Sequence, residues 1–434
     1  MAASSDIHSN AFNFMSTMQA GVDPRTGQYT LSIDFPELQS NQLQGPLVPL
    51  TLTYSPLNRA DSGYGLGWNL SLSQFTPGDR MITLSTGESF KVTGSGTTPD
   101  IAEKKLDTFH FEDNGGGKYR IAHKSGLVEM LETLGSGAGQ IALPVQMSSP
   151  AGHSVTLKYE EARLKSITDA NDQVLLAVNR LSDNLIELLA FPYSGPDGGP
   201  LARYELGLAG GEVRQVILPT EDKAAWRFVY ESIRGYRCIT DVKTPIGGHE
   251  TVRYLDPGHG LPGSSGRQNL PRVTHHLDDP GFGQPVVETV YTYSDRNFLG
   301  NGAAISWADD GLDNLYKAPS GYDYWSRTEV KAVKDGKETV RSVARTFNRF
   351  HLLTEEVTQQ NHCVQSVSTT YHSVDDSFGN QPPQFQLPKS VRTRWTLDSD
   401  PTRYRDETVV TEFDTHGNPT LETQPSGVST HFTY

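Results

Sequence analysis

The sequence predicts an all-β protein built from strand-turn-strand repeats that pair side by side into a curved antiparallel sheet. Three observations lead there. Short apolar/polar alternations of period two recur along the chain, and no stretch of ten or more residues combines helical periodicity with caps. Glycine and proline are abundant, 41 and 26 among 434 residues, while hydrophobic residues reach only 35%, a composition suited to many short strands joined by turns. Aromatic residues close successive strands at Tyr159, Tyr230, Tyr254, Tyr293, Phe347, Tyr371, Phe413 and Tyr434. Several of these fall about twenty to twenty-four residues apart, the spacing of a repeat array.

The clearest repeat lies at the C-terminus. Val409, Thr411 and Phe413 alternate with Val410 and Glu412 as a half-buried strand. Asp414 to Asn418 reads as a hairpin turn in which Gly417 supplies a positive φ. A return strand over Thr420 to Thr423 is broken by Pro425-Ser426-Gly427, and Val428 to Tyr434 begins the next unit. Variants of the phrase start at Tyr159 (YEEARLKSITD), Thr244 (TPIGGHETVRYLD) and Phe347 (FNRFHLLTEEVTQQ). A lone hairpin is marginal in water, so such units must stack to bury their apolar faces, and the aromatics are expected to be structural glue rather than a sugar-stacking platform.

Taken in order, residues 1–20 are polar with Phe12 and Phe14 and read as a leader or arm. The region 21–139 is expected to be an N-terminal β unit leading into the array. It holds strands at Tyr29 to Phe35 and Leu50 to Tyr54, then a close-packed loop of Gly63, Gly65 and Gly67 around Tyr64 and Trp68. Hairpins follow at 81–92 and 107–130, and a glycine-rich joint at 135–139. The region 140–434 is the array, interrupted by long inserts at 192–200, 256–266, 297–322 and 377–388, expected to be surface excursions.

The net charge of −14, with acidic residues dispersed, argues against nucleic-acid binding, which needs a positive field. No run of about eighteen apolar residues is present to span a membrane as a helix. The start of the sequence lacks the basic and apolar regions of a cleaved export signal. Cys238 and Cys363 lie far apart with no metal spacing and read as two reduced thiols.

Candidate chemistry is sparse. In His275-His276 with Asp278-Asp279, adjacent side chains on a strand face opposite ways and do not converge on one ion. The acidic run Asp309-Asp310-Gly311-Leu312-Asp313-Asn314 lacks the ligand order of a calcium loop and reads as a solvated turn, as does Asp169 to Asp172. Gly135 to Gly139 is neither a nucleophile elbow nor a dinucleotide fingerprint, and no phosphate-cradling loop with its lysine is present. No catalytic, cofactor-binding or metal residue is therefore expected, and no cofactor.

The assembled phrases resemble the Rhs/YD-repeat family of bacterial polymorphic toxins. Phe413-Asp414, Gly417-Asn418, Pro425-Ser426-Gly427 and Tyr434 match the order of its repeat, with Phe in place of the first Tyr. Thr244 to Gly247 leading to Tyr254 is a second match, and Tyr159 with Arg163-Leu164 a third that lacks the glycine. The opening, Val22-Asp23-Pro24-Arg25-Thr26-Gly27 together with Asp61 to Trp68, looks like that family's N-terminal lead into the repeats. The resemblance implies a strand ribbon spiralling into a hollow shell around a C-terminal toxin, secreted without a cleaved signal for bacterial competition or virulence. It also implies a secretion-system component as partner. The family's self-cleavage region has no match here, so no catalytic residue carries over, and the chain reads as an N-terminal or truncated shell segment. The alternative is a β-repeat module binding a glycan or cell-surface protein, with Trp307 or Trp325 as exposed rings.

Overall fold

The computed structural model describes residues 7–17, 20–48, 50–254, 257–334 and 337–434. Among them there is no α-helix; six short 3-10 turns accompany the strands. The strands form two antiparallel sheets, one of four strands and one of 27.

The small sheet joins Ala20–Val22, Tyr29–Asp34, Thr51–Tyr54 and Trp68–Leu70 in sequence order. Its alternation is strict: Tyr29, Leu31, Ile33, Leu52 and Tyr54 are buried on one face, while Thr30, Ser32, Thr51 and Thr53 stand on the other.

The large sheet begins at Gln74–Thr76 and first rolls back on itself, so that Ala142 of Ile141–Ser148 meets Phe75 of that first strand. The roll encloses a core of its own, with Phe75, Phe109, Phe111, Tyr119 and Leu131. From Ile141–Ser148 the sheet proceeds strand by strand to Ser429–His431, each strand paired with the next. No pairing joins Ser429–His431 to Gln74–Thr76 among the described residues, so the sheet is open. Ile141–Ser148 pairs with both Val128–Leu134 and Ser154–Glu160, so strand pairing continues on both sides of the 3-10 turn Gly137–Gly139.

Recurrent turn chemistry joins the strands. In Ser149–His153, Asp169–Gln173, Thr244–Gly248, Asn348–Leu352, Asp414–Asn418 and Gln424–Val428, the first amide donates to the fifth carbonyl and the fourth amide to the first carbonyl. The fourth residue takes a positive φ each time: Gly152, Asp172, Gly247, His351, Gly417 and Gly427. The sequence shows this position as glycine in four of the six turns, which is why the repeat is readable there and blurred at Asp172 and His351.

The buried face of the small sheet lies on the ladder between Met147 and Val273, and their shared core holds Trp68, Tyr54, Phe228 and Tyr230. Burying each such aromatic contributes about 2–3 kcal/mol as an upper figure. Two expectations are corrected here. The insert spanning Asn297 to Tyr322 is not a surface excursion: Phe298, Leu299, Leu315 and Tyr322 build a second core with Leu261, Leu270, Tyr324 and Phe347. Ile7 and Ala11 join it, so this stretch of the expected polar arm packs into the protein through its apolar side.

Candidate functional site

The ladder aromatics share a local geometry that sequence periodicity only hinted at. The pairing register shifts immediately before Tyr159, Tyr230, Tyr254, Phe347, Tyr371 and Phe413, placing a bulge beside each ring. A bulge bends its strand and re-aims the side chain. Four rings reach back across the sheet, Tyr293 without a bulge of its own: the Tyr159, Tyr230, Tyr293 and Tyr371 hydroxyls donate to the Pro144, Val213, Val273 and Leu353 carbonyls, each in the preceding strand, at 2.7–3.1 Å. Each tyrosine thus latches its strand to its neighbour as well as filling the core. Tyr230, Tyr293 and Phe347 are buried, whereas Tyr159, Tyr254, Tyr371 and Phe413 are half-buried; Tyr434, expected to act as glue, is 77% exposed.

The two halves of the opening motif sit on this ladder. Asp23 Oδ1 accepts the Arg25 and Thr26 amides and shapes a turn that Pro24 enters with its φ already restricted. The Gly27 carbonyl accepts the Val273 amide, and a Cβ on Gly27 would lie 2.9 Å from both Arg272 Cβ and the Tyr293 hydroxyl. The Arg25 guanidinium stands 4.6 Å from the centre of the Phe347 ring, in cation–π contact. In the other half, Asp61 Oδ1 accepts the Gly63 and Gly65 amides, and the Leu66 amide donates to the Gly211 carbonyl. Gly67 lets the chain pass against the Tyr54 ring. Trp68, fully buried, donates its indole N–H to the Tyr230 hydroxyl at 2.8 Å. Nothing in the sequence joins the opening motif to the strand-end rings; the fold brings Arg25, Gly27 and Trp68 onto Phe347, Tyr293 and Tyr230.

A buried polar cluster escaped sequence reasoning. His351 Nε2 lies 2.8 Å from Asp313 Oδ2, and His351 Nδ1 lies 2.9 Å from the Tyr324 hydroxyl. Ser9 Oγ and the Asn10 amide donate to the same Asp313 oxygen. The Asp313 amide donates to Glu103, whose Oε2 also accepts from Asn10 Nδ2. Burial by itself would raise the Asp313 carboxyl, but the His351 imidazole, His8 and the Asn10 amide hold it below its ordinary range. Burial, with Asp313 beside it, pushes Glu103 up to about 7. The acidic run expected to be a solvated turn is therefore split: Asp309 and Asp310 face solvent, while Asp313 and Asn314 are buried because the cluster and the Ala308 backbone satisfy them. The sequence did carry one trace of this, a histidine where the other legible turns have glycine.

Ser9, His351 and Asp313 have the residue types of a hydrolytic triad without its geometry. Serine and aspartate crowd the same imidazole nitrogen and Ser9 donates directly to Asp313, whereas a relay needs them on opposite nitrogens. All three are at most 2% exposed. The cluster is a tie between distant segments.

The remaining candidates are dispersed. His276 pairs with Glu250 and His275 with Thr274, and no group of three or more metal-ligating side chains occurs among the described residues. Cys238 is buried, Cys363 is exposed, and both thiols are free. A cleft of about 1080 Å³ runs along the polar face of the small sheet, lined there by Thr30, Ser32, Thr51 and Thr53 and elsewhere by His8 and Trp307. Trp325 lies outside the insert, in the strand Asp323–Lys334, 43% exposed.

No family model matches the chain, and no curated protein matches it. Among solved structures it is similar to a chain described as "Crystal Structure of TcdB2-TccC3-TEV", at 10% identity over 90% of this chain, with a TM-score of 0.16. The match spans 23% of that chain's length. No helix among the described residues is long and apolar enough to cross a membrane.

Proposed function

We propose that this chain is a non-catalytic wall segment of an Rhs/YD-repeat shell that encloses a toxin. The observation that carries this reading is the uninterrupted ladder from Ile141–Ser148 to Ser429–His431, latched by tyrosines at strand ends and sealed along one stretch by the opening motif. A wall of this kind grows by adding units, each stabilised only through its neighbours. On this reading the partners are the enclosed toxin and a secretion-system component, and the protein acts outside the cell that makes it. Electron microscopy of the full-length gene product tests it: a closed hollow particle is expected, and a compact solid body overturns it.

A second reading, an oligosaccharide-binding module, is favoured by one observation. Trp307 lines the same cleft as the threonine and serine hydroxyls of the small sheet, a combination suited to sugar rings. Calorimetric titration against a glycan panel separates the two: saturable binding lost in Trp307→Ala favours the module.

A further inference from the structure

The ladder is open in its strand pairing, yet its two ends meet through side chains. The roll that precedes it shares the strand Ile141–Ser148 with the ladder and carries two connections, 102–108 and 124–127, that reach the far end of the array. Lys105 Nζ donates to the Gly379 and Gln381 carbonyls, each at 2.9 Å, and stands 5.0 Å from the centre of the Phe378 ring. Lys124 Nζ donates to the His416 carbonyl and to Asn418 Oδ1, both at 3.3 Å. Leu106 lies against Gly417, where an added Cβ would be 3.2 Å from the Leu106 Cδ2. The lysines and their acceptors are 274 to 294 residues apart in sequence.

We propose that the roll is a keystone: it joins the two ends of the ladder into a ring, fixes the curvature of the wall and steadies the terminal repeats. The acceptors it meets are held in place. Phe378 stacks on Tyr316 with ring centres 4.3 Å apart, and His416 and Asn418 belong to a turn whose Asp414 Oδ1 accepts both of their amides. The lysines therefore bond to fixed carbonyls rather than to a loose tail.

Twist and bulges bend a sheet, but they leave the separation of its first and last strands free. An array in which each strand leans only on its neighbours also frays from its outermost unit. At Ser429–His431 the ladder has a strand partner on one side only, and residues 424–434 are exposed. The roll supplies support from a second direction, at Phe378–Gln381 and at Asp414–Asn418, and so spans a gap that strand pairing leaves open. This role goes beyond the shell reading: it needs only the ladder, and holds or fails whether or not anything is enclosed.

Hydrogen exchange and small-angle X-ray scattering of the 434-residue chain test the keystone in the double variant Lys105→Ala/Lys124→Ala. Lys124 is exposed and Lys105 half-buried, so the fold is expected to survive. Amides of Thr420 to Thr423 are expected to exchange about tenfold faster than in wild type. The effect should fade strand by strand toward Cys363–Tyr371 and be absent at Val174–Ser182 and in the roll, while the largest dimension of the particle grows as the ends part. Faster exchange confined to 378–381 and 414–418 would make the lysines local contacts and overturn the proposal, as would a particle of wild-type dimensions. Should the double variant fail to fold, Lys124→Ala alone decides: unchanged exchange at Thr420 to Thr423 means that the roll does not support the terminal repeats.

Discussion

The Tyr54 hydroxyl donates to the Arg237 carbonyl at 2.5 Å, the second residue of the strand Tyr236–Lys243. In the ladder's own pattern the residue paired with one strand-end ring accepts the next ring's hydroxyl, as Val273 opposite Tyr254 serves Tyr293, so the position for Tyr254 is Ile239, two residues from Arg237. The Tyr254 hydroxyl is instead buried without a partner. The Tyr54 bond ties the small sheet to the array at this strand.

Two tyrosine deletions should therefore differ sharply. Tyr254→Phe removes an unpaired buried hydroxyl and is expected to leave stability unchanged or slightly higher. Tyr230→Phe orphans both the Trp68 indole N–H and the Val213 carbonyl and should cost about 2–3 kcal/mol. Urea denaturation followed by tryptophan fluorescence measures both; equal effects would refute the latch.

His351 and Gly417 occupy the same fourth position of their turns, at φ of 61° and 79°. A non-glycine residue there costs about 1–2 kcal/mol. His351→Gly relieves that strain but leaves the buried Asp313 carboxylate without its imidazole, and a net loss of about 3 kcal/mol is expected in the same denaturation assay. A stabilised variant would show the cluster to be dispensable.

Glycine positions in the opening motif and in an outer turn should also be distinguishable. Gly27→Ala combines positive φ with a Cβ 2.9 Å from the Arg272 Cβ and the Tyr293 hydroxyl, and is expected to lower the melting temperature severely or abolish folding. Gly417→Ala meets only the Leu106 and Leu387 side chains, the nearest at 3.2 Å, so backbone strain of about 1 kcal/mol is the expected cost. Differential scanning calorimetry of the two variants checks the order.

Thiol reactivity should report the difference in burial between the two cysteines. Burial pushes the Cys238 thiol up to about 12, so it stays protonated and shielded at pH 8, while Cys363 is exposed. Native protein is expected to titrate one thiol with Ellman's reagent and denatured protein two. Two fast thiols in the native state would contradict the burial of Cys238.

Local pattern by itself determined the all-β class, the turn residues such as Asp414 and Gly417, and the aromatic at each strand end, because these depend on period-two alternation and on φ preferences within a few residues. Pairing of Arg25 with Phe347, Trp68 with Tyr230 and Tyr54 with Arg237 joins residues more than 150 positions apart, and no local signal encodes such a meeting. The reading of Asp313 as solvated failed for the same reason: its partners Ser9, Glu103 and His351 arrive from three distant segments, and only tertiary packing turned an acidic loop into a buried tie. A carboxylate's environment is set by what the whole chain brings to it, whereas a turn is set by its own five residues.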